Sequence, residues 1–193
     1  KVVKQVMFMD ISSEDLGGAA IHAQKSGVAH YRAQNENECF EKVKELLDYI
    51  PHYYGEEIVA EKFHFDERRK AKRIAAALPE RSAQGYDIRE VIDCVVDDDS
   101  FFEVMEEFAP MSVVGFAKIE GKSVGVVANN PVSWGGLLNS DASDKIARFV
   151  RYCDSFNVPL VTFVDVPGFL PGPDEEQKGI IRHRSEEHTS ELQ

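Results

Sequence analysis

The sequence predicts an α/β fold, and three stretches carry that expectation. Residues 160–164, Leu-Val-Thr-Phe-Val, form an apolar run rich in β-branched and aromatic side chains. That composition suits a strand buried on both faces. Residues 113–119 and 122–128 are two more strand-like runs around Glu120-Gly121, which reads as a hairpin turn. Between hairpin and last strand, Ile146, Phe149, Val150, Cys153 and Phe156 fall on one helical face, with Lys145, Arg148 and Arg151 elsewhere. Asp141 is placed to cap this helix, Gly135-Gly136 lies in the loop before it, and Asn157-Val158-Pro159 closes it. Strand, helix, strand makes a βαβ unit, whose crossover should be right-handed.

The last strand runs into Phe163–Gly172, FVDVPGFLPG. Pro167 has no N–H and ends any ladder. Gly168 follows, then two large apolar residues, Phe169 and Leu170, then Pro171-Gly172-Pro173. Ligands of open α/β sheets bind off the carboxyl ends of strands, so this turn is the first candidate site. The plain alternative is a well-made turn over the domain's own core.

The other elements are read in chain order. Residues 1–11 hold half a strand pattern in Val2, Val3, Val6, Met7, Phe8 and Met9. Ser12-Ser13-Glu14-Asp15 has the composition of a helix start. Residues 17–30 are dense in small residues, which let backbones approach closely, and include His22 and His30 at a spacing that fits no metal motif. Residues 35–49 are the clearest helix of the first half, with Phe40, Val43, Leu46, Leu47 and Ile50 in register, Asn35 or Asn37 as cap and Pro51 as stop. Residues 68–73 hold a basic run, Arg-Arg-Lys-Ala-Lys-Arg, that would suit the phosphates of coenzyme A but reads more simply as an exposed linker helix. Ile88, Val91, Ile92 and Val95 form another helical stripe. Asp97-Asp98-Asp99 could hold a metal, although such a run more commonly ends one element and caps the next.

Composition narrows the function. The 193 residues are 43% hydrophobic and 29% charged, which is globular rather than disordered. A net charge of −12 argues against nucleic-acid or anionic-membrane partners. No run approaches a membrane span, none reads as a signal peptide, and Cys39, Cys94 and Cys153 lack disulfide or zinc spacing. The expected location is cytoplasmic. Residues 184–193, RSEEHTSELQ, resemble translated sequencing adapter and are set aside from the fold.

Several long runs resemble one family. DASDKIARFVRYCDSFNVPLVTFVDVPGFLPG at 141–172 and GIIRH at 179–183 are similar to carboxyltransferase subunits of biotin-dependent acyl-CoA carboxylases, of the propionyl-CoA carboxylase β and methylmalonyl-CoA decarboxylase α type. GGAAIHAQKSGVAH at 17–30, YDIREVI at 86–92 and VVGFAKIEGKSVGVVANNP at 113–131 match as well, so the resemblance covers 1–183. It implies a pair of crotonase-like spiral domains, with residues 1–65 ending the first and 66–183 opening the second. It implies transfer of a carboxyl group between biotin and the α-carbon of a short-chain acyl-CoA, with biotin carried on a separate subunit or domain.

The implied partners are a biotin carboxyl carrier and either a biotin carboxylase or membrane decarboxylase subunits. The implied assembly is a homo-oligomer with active sites between subunits, without nucleic acid or membrane insertion. Val166, Pro167, Gly168, Phe169 and Leu170 are then candidates for the biotin side, and Gly17, Gly18, Ser26, Gly27 and His30 for the acyl-CoA side. No metal and no catalytic side chain is expected here. The family's oxyanions are held by backbone N–H groups, on a Gly-Gly motif before Lys1 and a Gly-Gly-Ala motif after His183. Neither Gly17-Gly18 nor Gly135-Gly136 stands on those motifs, so the chain alone is expected to be inactive. The competing readings are a biotin-independent crotonase-type hydratase or hydrolase, and an inactive interaction module.

Overall fold

The computed structural model describes residues 2–56, 58–60, 62–81 and 84–183, without the side chains of Arg68 and Arg69. The set-aside residues 184–193 lie outside the described residues.

The first half is helical. Helix α1 is Val2–Met7, where a strand was expected. Val2, Val3, Val6 and Met7 also stand at helical spacing, and a helix satisfies its own backbone groups where a lone strand cannot. Helix α2 is Ser13–Gly17, capped by Ser12, whose hydroxyl accepts from the Asp15 amide. Helix α3 is Ala19–Gln24. Helix α4 is Glu36–Leu47, capped by Asn35. Of its stripe, Leu46 and the following Ile50 reach the core, while Phe40, Val43 and Leu47 stay exposed.

Helix α5 is Glu67–Ala77 and carries the basic run. It is not simply an exposed linker. Lys70 is buried, and its ammonium donates to the Val96 carbonyl and pairs with Asp98 at 3.0 Å. Helix α6 is Ile88–Val95, with Ile88, Ile92 and Cys94 inward. The aspartate run then works as connection rather than metal site. Buried Asp97 accepts from the Glu120 and Gly121 amides at 3.1 and 2.8 Å, and Asp98 also takes His64. Among the described residues no cluster has the makings of a metal centre.

Among the described residues a four-stranded sheet follows, in the order β1-β2-β3-β4. Strand β1 is Phe102–Val104, β2 is Ser112–Ile119 and β3 is Lys122–Asn129, all antiparallel neighbours. Ile119 pairs with Lys122, and Glu120 and Gly121 both have positive φ, which makes the tight primed turn that matches strand twist. Helix α7 is Ser140–Ser155, and β4 is Leu160–Phe163, parallel to β3. The cap of α7 is Asn139, accepting from the Ala142 amide, not Asp141, which sits in the first turn. Helix α8, Pro173–Lys178, closes the fold.

Alternation along β2 builds two cores. Val114 and Phe116 pack with Ile146, Phe149, Val150 and Cys153 of α7. Val113 and Ala117 pack with Ile88, Ile92 and Val96 around α6. The sheet is thus the middle layer of three. Two expectations fail here. Strand β4 is not buried on both faces, because it closes one edge of the sheet, and Leu160 is 37% exposed. Lys145, set apart from the apolar face of α7, is nevertheless 1% exposed.

Replacing Asp97 by Ala should remove both acceptors of the hairpin turn. The expected cost is about 1–3 kcal/mol, the range for stranded buried polar groups. It should appear as a lower denaturation midpoint at unchanged slope. An unchanged midpoint would mean that the turn holds itself.

Candidate functional site

The ladder between β3 and β4 ends at Ala128 and Phe163. Beyond it the Asn129 side chain takes over. Its amide nitrogen donates to the Asp165 carbonyl at 2.5 Å, and its oxygen accepts from the Asp165 amide at 2.8 Å. The Tyr86 hydroxyl donates to the Asp165 carboxylate at 2.8 Å. Burial and that bond push the Tyr86 phenol up to about 12. Gly136 has φ +81, and a Cβ there would stand 2.7 Å from the Asn129 amide, so the loop closes on this clamp only with glycine.

The turn is stitched once more at its far end. The Leu138 amide donates to the Gly168 carbonyl at 3.2 Å, and its carbonyl accepts from the Leu170 amide at 2.8 Å. Val166 and Pro167 are exposed; Phe169 and Leu170 are half-buried and pack on the α7-side core. Gly168 has φ +155, which side chains rarely adopt, and a Cβ there would meet nothing within 4 Å. Its glycine therefore answers a backbone need while leaving open space beside Phe169.

The second candidate set splits. Gly17 and Gly18 join α2 to α3, where the Gly18 amide bonds the Glu14 carbonyl at 2.8 Å. Ser26 lies 3.0 Å from His22 Nδ1. Gly27 is buried at φ +61, and a Cβ would come within 2.8 Å of the Phe108 ring. Its carbonyl accepts from the Arg148 guanidinium at 3.1 Å. His30 is held below its ordinary pKa by desolvation and by Arg148.

Ser26 and Gly27 border a cleft of about 380 Å³ with Lys25, Lys145, Arg148 and Arg151. Met105, Phe108, Asp141, Asp144 and His183 complete the lining, and His183 Nδ1 stands 2.6 Å from the Asp144 carboxylate. On its inner side Lys145 donates to the Phe108 and Ser112 carbonyls, both at 2.8 Å, and burial lowers its pKa to about 8. None of the turn residues lines this cleft, so the two candidate sets stand in separate places. The N-terminus of α7 is itself taken by buried Glu175, which accepts from the Ser140 amide and hydroxyl at 2.8 Å. Cys153 is fully buried, and that burial pushes its thiol up to about 12.

The carboxyl transferase domain model matches residues 1–186. The chain belongs to the carboxyl transferase domain family. It is 44% identical over 182 residues to the propionyl-CoA carboxylase carboxyltransferase subunit of Haloferax mediterranei, covering 94% of this chain and 35% of that one. It is 42% identical to methylmalonyl-CoA decarboxylase subunit alpha of Veillonella parvula, with 94% and 36% covered. Transcarboxylase 12S, solved as a hexamer with methylmalonyl-coenzyme A and methylmalonic acid bound, superposes at TM-score 0.91 and 39% identity over 98% of this chain and 36% of that one. The chain spans about a third of the length of the curated relatives it matches. The expected crotonase-like α/β class stands on this carboxyl transferase neighbour. Among the described residues no helix is long and apolar enough to cross a membrane.

Sequence reasoning found the turn but not its clamp. Asn129 and Tyr86 enter the sequence reading only as members of the family-like runs at 113–131 and 86–92. Lys145 carried a usable signal, since it lies three residues after buried Ala142 and one before buried Ile146 on the apolar stripe.

Two outcomes follow. In Asn129→Ala the Asp165 amide should lose hydrogen-exchange protection by about tenfold or more, while β2–β3 amides keep theirs. Equal protection in both proteins would show that the clamp is idle. Lys145 sets a pH dependence. Its folded pKa near 8 lies below its ordinary 10.5, so between these values the unfolded chain binds more protons and stability rises with pH. The melting temperature of the parent relative to Lys145→Met should therefore rise from about pH 7.5 to about pH 10. A flat or falling difference would contradict the burial argument.

Proposed function

We propose that the chain is part of an acyl-CoA carboxyltransferase subunit that moves a carboxyl group between biotin and the α-carbon of a short-chain acyl-CoA. The observation that carries this reading is the likeness, over 98% of the chain, to a transcarboxylase solved with methylmalonyl-coenzyme A. Residues 1–65 would end one crotonase-like domain and residues 66–183 open the next.

The residues of the turn fit a flat bicyclic group. Phe169 and Leu170 offer half-buried apolar surface, and Gly168 leaves space beside it. Biotin, when bound, supplies the ureido nitrogen that carries the carboxyl group. The role of Val166, Pro167, Gly168, Phe169 and Leu170 is to cover and orient that ring and to exclude water. The Asn129 clamp and the Leu138 bridge keep their backbone from moving during binding, which lowers the ordering cost.

On the acyl-CoA side, Lys25, Arg148 and Arg151 stand beside Ser26 and Gly27 and outnumber the cleft's two carboxylates, Asp141 and Asp144, a local excess of cations in an acidic chain that suits the phosphates of coenzyme A. His30 and the Gly17-Gly18 junction belong to the same segment. The separation of the two sets fits active sites shared between copies, as does the hexameric form of transcarboxylase 12S. A biotin carrier, with a biotin carboxylase or membrane decarboxylase subunit, completes the system.

The test uses the complete subunit that contains this chain. Phe169→Ala should weaken use of biotin roughly ten- to a hundredfold, the equivalent of about 1.5–3 kcal/mol of apolar contact. The KM for acyl-CoA should stay the same. A mutant that melts far lower yet handles biotin normally would assign Phe169 to the core alone.

A further inference from the structure

The side chain of Glu107, in the connection between β1 and β2, holds one stretch of chain at two points. Its carboxylate accepts from the Gln24 side-chain amide at 2.7 Å. It also accepts from Arg32, Nε at 3.1 Å and Nη2 at 2.8 Å, in a two-pronged pairing. The Gln24 bond first, and then Arg32, outweigh desolvation and hold the carboxyl below the usual glutamate range. Between the two clasped residues run Lys25, Ser26 and Gly27, all of which line the cleft beside α7. The same stretch meets the fold at two backbone carbonyls. That of Gly27 accepts from Arg148 at 3.1 Å, and that of His30 from the Met105 amide at 3.2 Å.

We propose that Glu107 is a positioning residue for the acyl-CoA side: by clasping Gln24 and Arg32 it fixes Lys25, Ser26 and Gly27 as one wall of the cleft. The inference rests on the acyl-CoA reading of that cleft. An exposed ion pair adds little to global stability, so the effect of this one is local. Gln24 and Arg32 flank the cleft residues in the chain, and a single carboxylate holds both against the connection between β1 and β2. The two-pronged arginine pairing fixes direction as well as distance. A wall that is ordered before the ligand arrives does not draw on binding energy to become so. Charge alone gives the opposite expectation. Removing a carboxylate from the neighbourhood of Lys25 and Arg148 leaves it more cationic, which favours an anionic ligand. The two effects differ in sign, and the sign can be measured.

The probe is coenzyme A, titrated into the complete subunit that contains this chain, well below its melting temperature. Glu107→Ala should weaken its binding about three- to tenfold, the scale of one net hydrogen bond. The KM for biotin and the melting temperature should hold. Added to a Gln24→Ala, Arg32→Ala background, Glu107→Ala should cause no further loss, because the clasp is already open. Lys25→Ala tests the cleft reading itself and should also weaken coenzyme A. Unchanged or tighter binding in Glu107→Ala beside a loss in Lys25→Ala would overturn the clasp and leave the cleft reading standing. No loss in either would remove both. A full further loss in the Gln24→Ala, Arg32→Ala background would overturn the clasp as well, since Glu107 would then act through other groups. So would a loss that comes with a much lower melting temperature and a raised KM for biotin, which is the mark of a general structural role.

Discussion

The Asn129 side chain acts as one more peptide unit at the end of the parallel pair. A primary amide offers one donor and one acceptor in a plane, as a backbone peptide does. It therefore continues the β3–β4 pairing to Asp165, just where Pro167 is about to end it. The geometry downstream depends on this. With Asp165 fixed, the chain returns to Leu138, two bonds lock Gly168 and Leu170 there, and Phe169 is set down on the core. Leu138 in turn precedes Asn139, the cap of α7. The turn and the start of the long helix are thus one unit.

Helix α7 is held to the sheet by apolar burial and by one buried cation. Lys145 gives its ammonium to two backbone carbonyls, that of Phe108 in the connection between β1 and β2 and that of Ser112 at the start of β2. Burying that charge is unfavourable, as its lowered pKa shows, but the carbonyls at Phe108 and Ser112 would otherwise be left without this donor. The connection carries Phe108, whose ring also occupies the space that a side chain at Gly27 would need. In this way the segment around Gly27 and the sheet share one anchor. Glu103, at the sheet's edge strand, accepts from Nε and Nη2 along one edge of the Arg89 guanidinium, both at 2.6 Å, which pins α6 to β1 on the other side.

Periodicity and turn chemistry made most of the second half legible. The hairpin at Glu120-Gly121, the helix through Phe149 and the strand at Leu160 follow from local pattern, because each buries its own stripe in this chain. The family was legible from long motifs rather than from any catalytic residue. What stayed hidden was either non-local or a matter of context. Strand β4 reads as doubly buried from composition, but burial depends on what lies beside it, and here it is an edge. Val2–Met7 satisfies both periods in six residues, so hydrogen-bonding partners decide, not pattern. Lys70 reads as part of an exposed helix and Lys145 as lying off the apolar face; both are buried, Lys70 on the Val96 carbonyl and Asp98 and Lys145 on two backbone carbonyls, partners that sequence spacing cannot show. The acyl-CoA-side candidates came from the resemblance, and only Ser26 and Gly27 share a cleft.

We propose that the turn after β4 is the surface that receives biotin in the complete carboxyltransferase. The most direct measurement is a structure of the complete subunit with a biotinylated carrier domain bound. The account predicts the biotin ring in van der Waals contact with Phe169 and Leu170, with Asn129 still bonded to Asp165. A ring seated away from residues 166–170, with that turn unchanged and facing the subunit's own interior, would contradict it.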